Sequence, residues 1–145
     1  MATSLEDLSS TPVPEGSTPV YTGQLYKEDG TTPIDLADLL TIELTFYNEK
    51  DPSSIINSRV DQNVLNNGAV PEIVIGSTGL ISWVLQTTDT IIVDTTLETK
   101  TASKRAEIYT DKHIAFFKWT WDDSGTTKAS NHMVRIHVEN MEKIT

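Results

Sequence analysis

The chain has 145 residues, which is enough for one domain with a single hydrophobic core. It carries 11 basic and 21 acidic residues, a net charge of −10, and this disfavours nucleic-acid binding because phosphate recognition draws on basic surfaces. It contains no cysteine, which excludes disulfides, thiolate catalysis and cysteine-ligated zinc.

Residues 1–18 hold prolines, serines and threonines with almost no apolar periodicity. This composition predicts an extended arm that lies outside the core. The first seven residues lack the basic start and apolar run of a secretory signal, and no later stretch approaches the roughly 18 apolar residues of a membrane span. We therefore expect an arm over residues 1–18, a folded domain over residues 19–145, and neither a signal nor a membrane segment.

The first two strands of the domain are predicted over residues 19–27 and 40–47. The first ends at the typical turn residues Glu28-Asp29-Gly30. In the second, apolar and polar side chains alternate, which is the period of two of a half-buried strand. The segment between the two strands, residues 33–39, has room for a single helical turn.

The middle of the chain predicts one clear hairpin. Residues 72–75 and 80–85 are short apolar runs, and the glycine-rich residues 76–79 join them. Before this hairpin, residues 55–56 fit a short strand, and the Asn-Asn-Gly sequence at residues 66–68 predicts a tight turn.

A long polar segment follows the hairpin. Residues 90–93 fit either another strand or the packed part of a loop. Residues 94–112 are rich in threonine and predict a long loop, and loops of that length are often functional. The close group of basic residues in the chain lies there, beside two glutamates: Lys100, Lys104 and Arg105 with Glu98 and Glu107.

The last third predicts a second hairpin, with strands over residues 113–121 and 131–139 and a turn region over residues 122–127. One face of this hairpin is apolar and the other is mixed, as in an antiparallel sheet with one buried side. A slip of one residue would bury Lys118 or Arg135, so the two faces are well specified. Pairing the strands about the turn sets three pairs of neighbours: Trp119 near His132, Phe117 near Val134, and Ala115 near Ile136.

These elements together predict an all-β fold. No window shows helical periodicity, and the 21 threonines favour strands over helices. About seven short strands separated by Gly, Pro, Asn and Asp are typical of an immunoglobulin-like antiparallel β-sandwich. We predict such a sandwich with an extended N-terminal arm.

The histidines do not predict a metal site. His132 and His137 are five residues apart on one strand, so their side chains point to opposite faces. His113 lies far from His132 along the hairpin, and neither has a second histidine or cysteine at ligand spacing. We expect structural or surface histidines, no bound metal and no cofactor.

The acidic and glycine-rich segments predict turns rather than catalytic or ion-binding loops. Neither the residues around Asp29 nor those at Asp122 and Asp123 have the ligand order of a calcium loop, although a calcium ion held between separate loops stays an alternative. Residues 76–79 lack the lysine and following helix of a phosphate loop, and no serine lies in a nucleophile elbow. Nothing places two carboxylates at the separation that glycoside hydrolysis needs. We therefore expect no catalytic residues and a protein that is not an enzyme.

The three tryptophans leave two interpretations open. Trp83, Trp119 and Trp121 fit core positions of a sandwich, and they also fit a platform on which a sugar ring stacks. Trp121 lies at a strand end beside the turn, so the platform interpretation centres on Trp121 together with residues 94–112.

The order of several short motifs resembles a known class of proteins. Residues 23–36 (GQLYKEDGTTPIDL) followed by residues 41–47 (TIELTFY) resemble the opening of immunoglobulin-like modules in virion proteins of tailed phages. They are similar to the N-terminal domain of the upper baseplate protein family. The resemblance covers about residues 19–140, departs from the pattern over residues 99–112, and implies no catalytic residues. Four further segments look like small phage proteins that occur with genes for head and tail structure: residues 63–68, 79–83, 89–94 and 117–121.

The resemblance and the composition together predict a non-enzymatic virion structural protein that is made in the host cytoplasm. We expect it to dock onto the head–tail interface, neck or baseplate, in a homo-oligomeric or symmetric assembly with other virion proteins. Its attachment would use residues 1–18 and one sheet surface, with no nucleic-acid or membrane partner. Two alternatives stay open: a capsid decoration protein, and a carbohydrate-binding module for host attachment that uses Trp121 and residues 94–112.

Overall fold

The computed structural model describes residues 4–65, 70–93 and 108–141. Within these residues the structure is mostly β-strand with one short helical turn, so the all-β prediction is confirmed. No helix in the described ranges is long and apolar enough to cross a membrane. The strands are β1 (Ser4–Asp7), β2 (Val13–Pro14), β3 (Val20–Gln24), β4 (Leu39–Asn48), β5 (Gln62–Asn63), β6 (Ile73–Ile75), β7 (Leu80–Val84), β8 (Ile108–Asp123) and β9 (Thr126–Met141), and the 3-10 turn Leu36–Asp38 precedes β4.

The larger of two sheets has the strand order β1-β9-β8-β4-β5, and β2 also pairs with β9. Its centre is the hairpin of β8 and β9, whose strands have 16 residues each. β4 and β5 continue the sheet in antiparallel pairs. β1 and β2 instead run parallel to β9, so the prediction of a wholly antiparallel arrangement is wrong at this edge. Parallel neighbours need a long crossover connection rather than a tight turn, and strand periodicity carries no signal for it.

The C-terminal hairpin is present with its turn inside the predicted residues 122–127, but the predicted pairing of its strands is wrong. Ser124 and Gly125 form a two-residue loop with positive φ angles of 53° and 92°, the backbone of a tight hairpin turn. Phe117 therefore pairs with His132 rather than with Val134, a displacement of two residues. The predicted inner face is nevertheless correct, because a displacement by an even number keeps every side chain on its own face.

The smaller sheet has the order β3-β7-β6. β6 and β7 form the predicted hairpin, in which Ile75 pairs with Ile81. The link between these strands includes Gly79 at a φ of 81°. A Cβ atom at Gly79 would lie 2.2 Å from the backbone oxygen of Ile34. Both the backbone angle and this close approach therefore require glycine.

The two sheets enclose one common core. Trp83 of the smaller sheet packs edge-on against two rings of the larger sheet, Phe46 and Phe117, with centroid separations of 5.2 Å and 6.0 Å. Tyr21 stacks with Phe117 at 6.4 Å. These aromatic contacts stabilise the packing beyond the area they bury. They join the sheets at the centre of the molecule.

The segments between the strands match the predictions in part. The predicted helical turn is present at Leu36–Asp38. Ile55 forms only an isolated bridge with Tyr47 rather than a short strand. Residues 90–93 are a packed loop, since Thr90 is buried and Ile92 and Val93 pack against the core, while Ile91 is exposed. The tight turn predicted at residues 66–68 lies outside the described residues.

The long loop predicted over residues 94–112 is wrong at its C-terminal end. β8 begins at Ile108, so residues 108–112 belong to the central hairpin. The prediction failed because this part of the strand is polar: Asp111 and the neighbouring His113 are buried, but polar residues in a sequence give no sign of burial. The remaining part of the predicted loop, residues 94–107, lies outside the described residues.

Candidate functional site

The candidate site is the arm itself, because residues 4–14 lie on the edge of the larger sheet rather than outside the domain. β1 pairs in parallel with residues 132–135 of β9. Beyond β1, the backbone N–H of Leu8 donates to the oxygen of Arg135 at 3.0 Å, and β2 resumes the pairing further along β9. Leu8 and Val13 pack against the core. The arm is therefore the outermost strand of its own sheet.

Asp7 holds the arm on the outer face of this sheet. One carboxylate oxygen lies 2.8 Å from Nε2 of His137, and the other accepts a hydrogen bond from Nη1 of Arg135 at 3.1 Å. Nε of Arg135 also donates to Glu49 at 2.6 Å, which links the arm to the end of β4. The hydrogen bonds from His137 and Arg135 lower the pKa of Asp7. Asp7 is therefore ionised at neutral pH and pairs with the cation beside it.

Glu6 points to the other side and joins the arm to the smaller sheet. The hydroxyl of Tyr21 donates to Oε1 of Glu6 at 2.9 Å, and Nε2 of His132 lies 3.3 Å from the same oxygen. Burial, together with the charge of Glu6, raises the pKa of Tyr21, so the hydroxyl keeps its proton and remains a donor. Because successive side chains alternate along a strand, Glu6 and Asp7 contact the two opposite sides of the sheet edge. We call these contacts of Glu6 and Asp7 the acidic grip of the arm.

Two open grooves flank the arm. One has a volume of about 320 Å³ and separates Leu8 and Val13 from Leu85 and other residues of the main domain. The other has a volume of about 690 Å³ and lies where β1, β3 and β9 meet, with Glu6 and Tyr26 on its walls. Both grooves are open to solvent and lie beside the arm at the surface, while Leu8 and Val13 pack against the core between them.

A buried ion pair lies elsewhere in the domain. Arg59 is 1% exposed, and its Nε and Nη2 atoms donate to the two carboxylate oxygens of Asp89 at 2.7 Å and 2.9 Å. Nη2 also donates to Glu72 at 3.0 Å, and the guanidinium carbon lies 5.5 Å from the ring centroid of Trp83. Burial lowers the pKa of Arg59, and the hydrogen bonds that Arg59 donates to Asp89 and Glu72 outweigh it, so the net shift is upward. The charge of Arg59 is thus compensated inside the core.

The polar network continues from Asp89 to a second buried carboxylate. The two ring nitrogens of His113 lie 3.2 Å from the backbone oxygen of Asp89 and 3.0 Å from Oδ2 of Asp111. Asp111 also accepts hydrogen bonds from the side chain of Asn48 at 2.5 Å and from the backbone of Val93 at 2.7 Å. Burial raises the pKa of Asp111, and the hydrogen bond from His113 leads the contacts that lower it, with a net shift downward. The network ties β4, residues 89–93 and β8 together, which is a structural role.

Sequence reasoning missed the acidic grip of the arm and this buried network. Arg59 and Asp89 stand 30 positions apart in polar stretches, and charged residues there are usually exposed. Glu6 and Asp7 belong to a segment without apolar periodicity. No local pattern marks any of these four residues, because the partners of each come from distant parts of the chain.

The structure also places the histidines that the sequence singled out. His113 is fully buried and structural, while His132 and His137 lie on opposite faces of β9. Both histidines of β9 contact the arm, through Glu6 and Asp7. Among residues 4–65, 70–93 and 108–141, no group of three or more histidine, cysteine, aspartate or glutamate side chains is arranged to hold a metal ion.

The tryptophans are core residues. Trp83 and Trp121 are 0% exposed and Trp119 is 4% exposed, so the core interpretation is confirmed. A sugar ring cannot stack on a fully buried indole, so the platform centred on Trp121 is wrong.

The acidic segment at Asp29 forms a turn, as predicted, whereas Asp122 and Asp123 are the last residues of β8, directly before the turn. The backbone N–H groups of Thr31 and Thr32 donate to Asp29 at 2.8 Å, and the hydrogen bonds from Thr32 lead those that lower the pKa of Asp29 to about 2. Asp122 accepts a hydrogen bond from the backbone of Gly125 at 3.0 Å. The basic group at residues 100–105 lies outside the described residues.

The chain matches no family model, no curated protein and no solved structure. Its function is therefore inferred from its own residues.

Proposed function

We propose that this chain is a non-enzymatic structural protein of a tailed-phage virion. In this proposal it is an immunoglobulin-like β-sandwich that docks onto other virion proteins at the head–tail interface, neck or baseplate. One observation carries the proposal: the N-terminal arm is a strand on a sheet edge, and its own residues Glu6 and Asp7 bind side chains on the two sides of that edge. A strand added to a sheet edge is a common device for joining protein subunits, because backbone hydrogen bonds supply affinity and side chains supply selectivity.

The kind of particle comes from the motifs of the chain. Residues 23–36 followed by residues 41–47 resemble the opening of immunoglobulin-like modules of tailed-phage virion proteins, and residues 117–121 look like part of small phage proteins that occur with genes for head and tail structure. Two sheets around one core, with Trp83 at the centre, agree with a sandwich of this class. The immunoglobulin-like connectivity is part of the proposal.

The carbohydrate-binding alternative loses the residue on which it depended. Trp121 is fully buried, and its indole N–H has no hydrogen-bond partner in the described part of the chain. An aromatic side chain that binds a sugar must present an open face to solvent. We therefore do not propose this function.

The first test locates the protein. Tailed-phage particles are purified from a lysate of the culture in which the gene occurs, and peptides of this chain are sought by quantitative mass spectrometry. We expect the protein in intact particles with a copy number that matches the symmetry of the tail or neck. A copy number that matches the capsid lattice would instead make it a decoration protein. Complete absence from purified particles would contradict the proposal.

The second test asks whether the arm is the attachment device. Deleting residues 1–18 would uncover the core beneath Leu8 and Val13, so a milder variant is needed. Glu6→Gln combined with Asp7→Asn removes the two charges of the grip and keeps the shapes of both side chains. The matched control, Glu28→Gln combined with Asp29→Asn, removes the same two charges from a turn whose contact with β9, Lys128 to Glu28 at 2.9 Å, lies outside the residues that pair with the arm.

We expect the arm variant to be depleted from particles in competition with the unaltered protein, and the control variant to be incorporated normally. Circular dichroism of both variants shows whether the domain remains folded. Equal incorporation of the two folded variants would remove the arm from the proposed attachment.

A further inference from the structure

The arm occupies a site that any copy of the arm would fit. We infer that the β9 edge also receives residues 4–14 of a second copy of this chain, so that neighbouring copies exchange arms. This inference rests on the proposed function, because it names the partner of the same edge. It commits the partner to a second copy rather than to a different virion protein.

The chemistry of the edge favours an acidic strand. The chain has a net charge of −10, yet the part of β9 that faces the arm presents Arg135, His132 and His137. The arm offers Glu6 and Asp7 at the matching positions on the two sides of the strand. A second copy carries the identical acidic pair, so every contact made within one chain is also available between two chains.

The segment that joins the arm to the domain is short. Residues 15–19 connect β2 to β3, and Gly16 has a φ of 74° with open space around the position of a Cβ atom. Three backbone N–H groups of this hinge donate hydrogen bonds: Glu15 to the oxygen of Glu139, Gly16 to that of Thr90, and Ser17 to that of Pro14. The hydroxyl of Thr90 also donates to the oxygen of Ser17 at 2.8 Å, so the contact that must break when the arm leaves is the one from Glu15 to β9. A swing of the arm away from its own domain needs a change at these few residues. Exchange of an identical element between copies is a low-cost route to a dimer, because the contacts of the element stay the same.

The packing under the arm permits its release. Leu8 and Val13 pack against the core but are only partly buried, and an open groove of about 320 Å³ lies beside them. Most of the specific contacts are hydrogen bonds and ion pairs at the surface, which form again unchanged on a second copy. The difference between the closed and exchanged forms is therefore confined to the hinge and to the entropy of association.

The local concentration then decides which form prevails. In dilute solution the tether favours the arm's own domain, and in an assembled particle the neighbouring edge is held close by. We expect monomers at low concentration and exchanged arms at high concentration.

A disulfide between chains tests the exchange directly. Leu5 lies opposite Met133 on the paired strands, and neighbouring strands are about 4.8 Å apart, within the range that a disulfide spans. The chain has no cysteine of its own. One chain carries Leu5→Cys and a differently tagged chain carries Met133→Cys. They are mixed in urea, refolded together at increasing protein concentrations and oxidised.

The control pair replaces Met133→Cys by Ala129→Cys. Ala129 lies four residues earlier along β9 on the same side, about 13 Å from the position opposite Leu5. A third sample, the double variant Leu5→Cys and Met133→Cys in one chain, reports whether β1 pairs with β9 at all.

We expect the mixed Leu5→Cys and Met133→Cys chains to form several-fold more cross-tag disulfide than the control pair, with a yield that rises with concentration. A cross-tag yield no higher than that of the control, at every concentration, overturns the inference. A double variant that forms no disulfide also overturns it, because the edge would then not hold the arm.

The two proposals fail separately. If exchange is absent but the Glu6 and Asp7 variant is still lost from particles, the proposed function stands with a different partner for the arm. If exchange occurs but the protein is absent from particles, the arm exchange stands and the virion role does not.

Discussion

The buried pair of Arg59 and Asp89 gives the sharpest test of how the domain is held together. Arg59→Met removes the guanidinium and keeps a long, flexible side chain that still packs on Trp83. Asp89 is fully buried and keeps two donors, the side chain of Asn57 and the backbone of Gln86. The substitution therefore leaves an incompletely compensated carboxylate in the core.

The magnitude follows from the burial of both partners. Removing one member of a buried ion pair lowers the free energy of unfolding by about 3–5 kcal/mol, because the remaining charge is desolvated without its partner. Domains of this size have total stabilities of about 5–15 kcal/mol. Arg59→Met should thus remove a large part of the stability, and removing both charges with Arg59→Met and Asp89→Leu together should restore some of it.

The assay is equilibrium unfolding in urea, followed by tryptophan fluorescence, since Trp83 is buried beside Arg59. The control is Lys118→Met, which removes a cation that contacts Asp61 at 3.0 Å on the exposed face of β8. Exposed ion pairs of this kind contribute little, so the control should unfold close to the unaltered protein.

An Arg59→Met variant that unfolds within about 1 kcal/mol of the unaltered protein, with the same dependence on urea concentration, would contradict this prediction. A Lys118→Met control that loses as much stability as Arg59→Met would contradict it as well.

Three further predictions follow from single residues. The pKa of Asp7 lies below its ordinary value of 3.8, so the contribution of the Asp7 contacts to stability is complete above pH 3.8 and is lost as the pH falls through the lower folded-state pKa. The NMR signal of the Leu8 amide should move, only in that lower range, toward the chemical shift that it has in the Asp7→Asn variant. Completion of the movement above pH 3.8 would contradict the assignment. Gly79→Ala should lower the Tm more than Gly30→Ala, because both positions have positive φ but only at Gly79 would the added Cβ atom lie 2.2 Å from a backbone oxygen. Equal decreases in Tm would show that this contact is unimportant. Trp121→Ala should lower the free energy of unfolding by about 3–5 kcal/mol in urea, as for other buried aromatic side chains; a variant as stable as the unaltered protein would show that the indole is not in the core.

In the central hairpin, the sequence predicts which side of each strand is buried but not which residues pair. Alternation along residues 113–121 and 131–139 predicts the correct faces, because one slip of register would bury a charge. It does not predict the partners, since several residues near position 125 can form a turn. Ser124 and Gly125 adopt the two positive φ angles that a tight hairpin requires, and the pairing moves by two residues. Turn chemistry, rather than the hydrophobic pattern, fixes that detail.

The candidate site was beyond prediction for a different reason. β1 and β2 are short, polar and parallel to a strand at the other end of the chain. Local composition identifies such a segment as extended but carries no information on where it docks. The buried pair of Arg59 and Asp89 is hidden in the same way, since each residue alone has the character of a surface side chain.

The parallel pairing of β1 with β9 also orders events during synthesis. Residues 4–7 leave the ribosome early, but their partners, residues 132–135, emerge only after nearly all the intervening strands. Pairing across such a distance in sequence is slow and leaves a strand exposed while the rest of the chain is made. The charges of Glu6 and Asp7 then restrict which edge the unpaired strand joins, because an acidic strand pairs poorly with an edge that lacks the basic residues of β9.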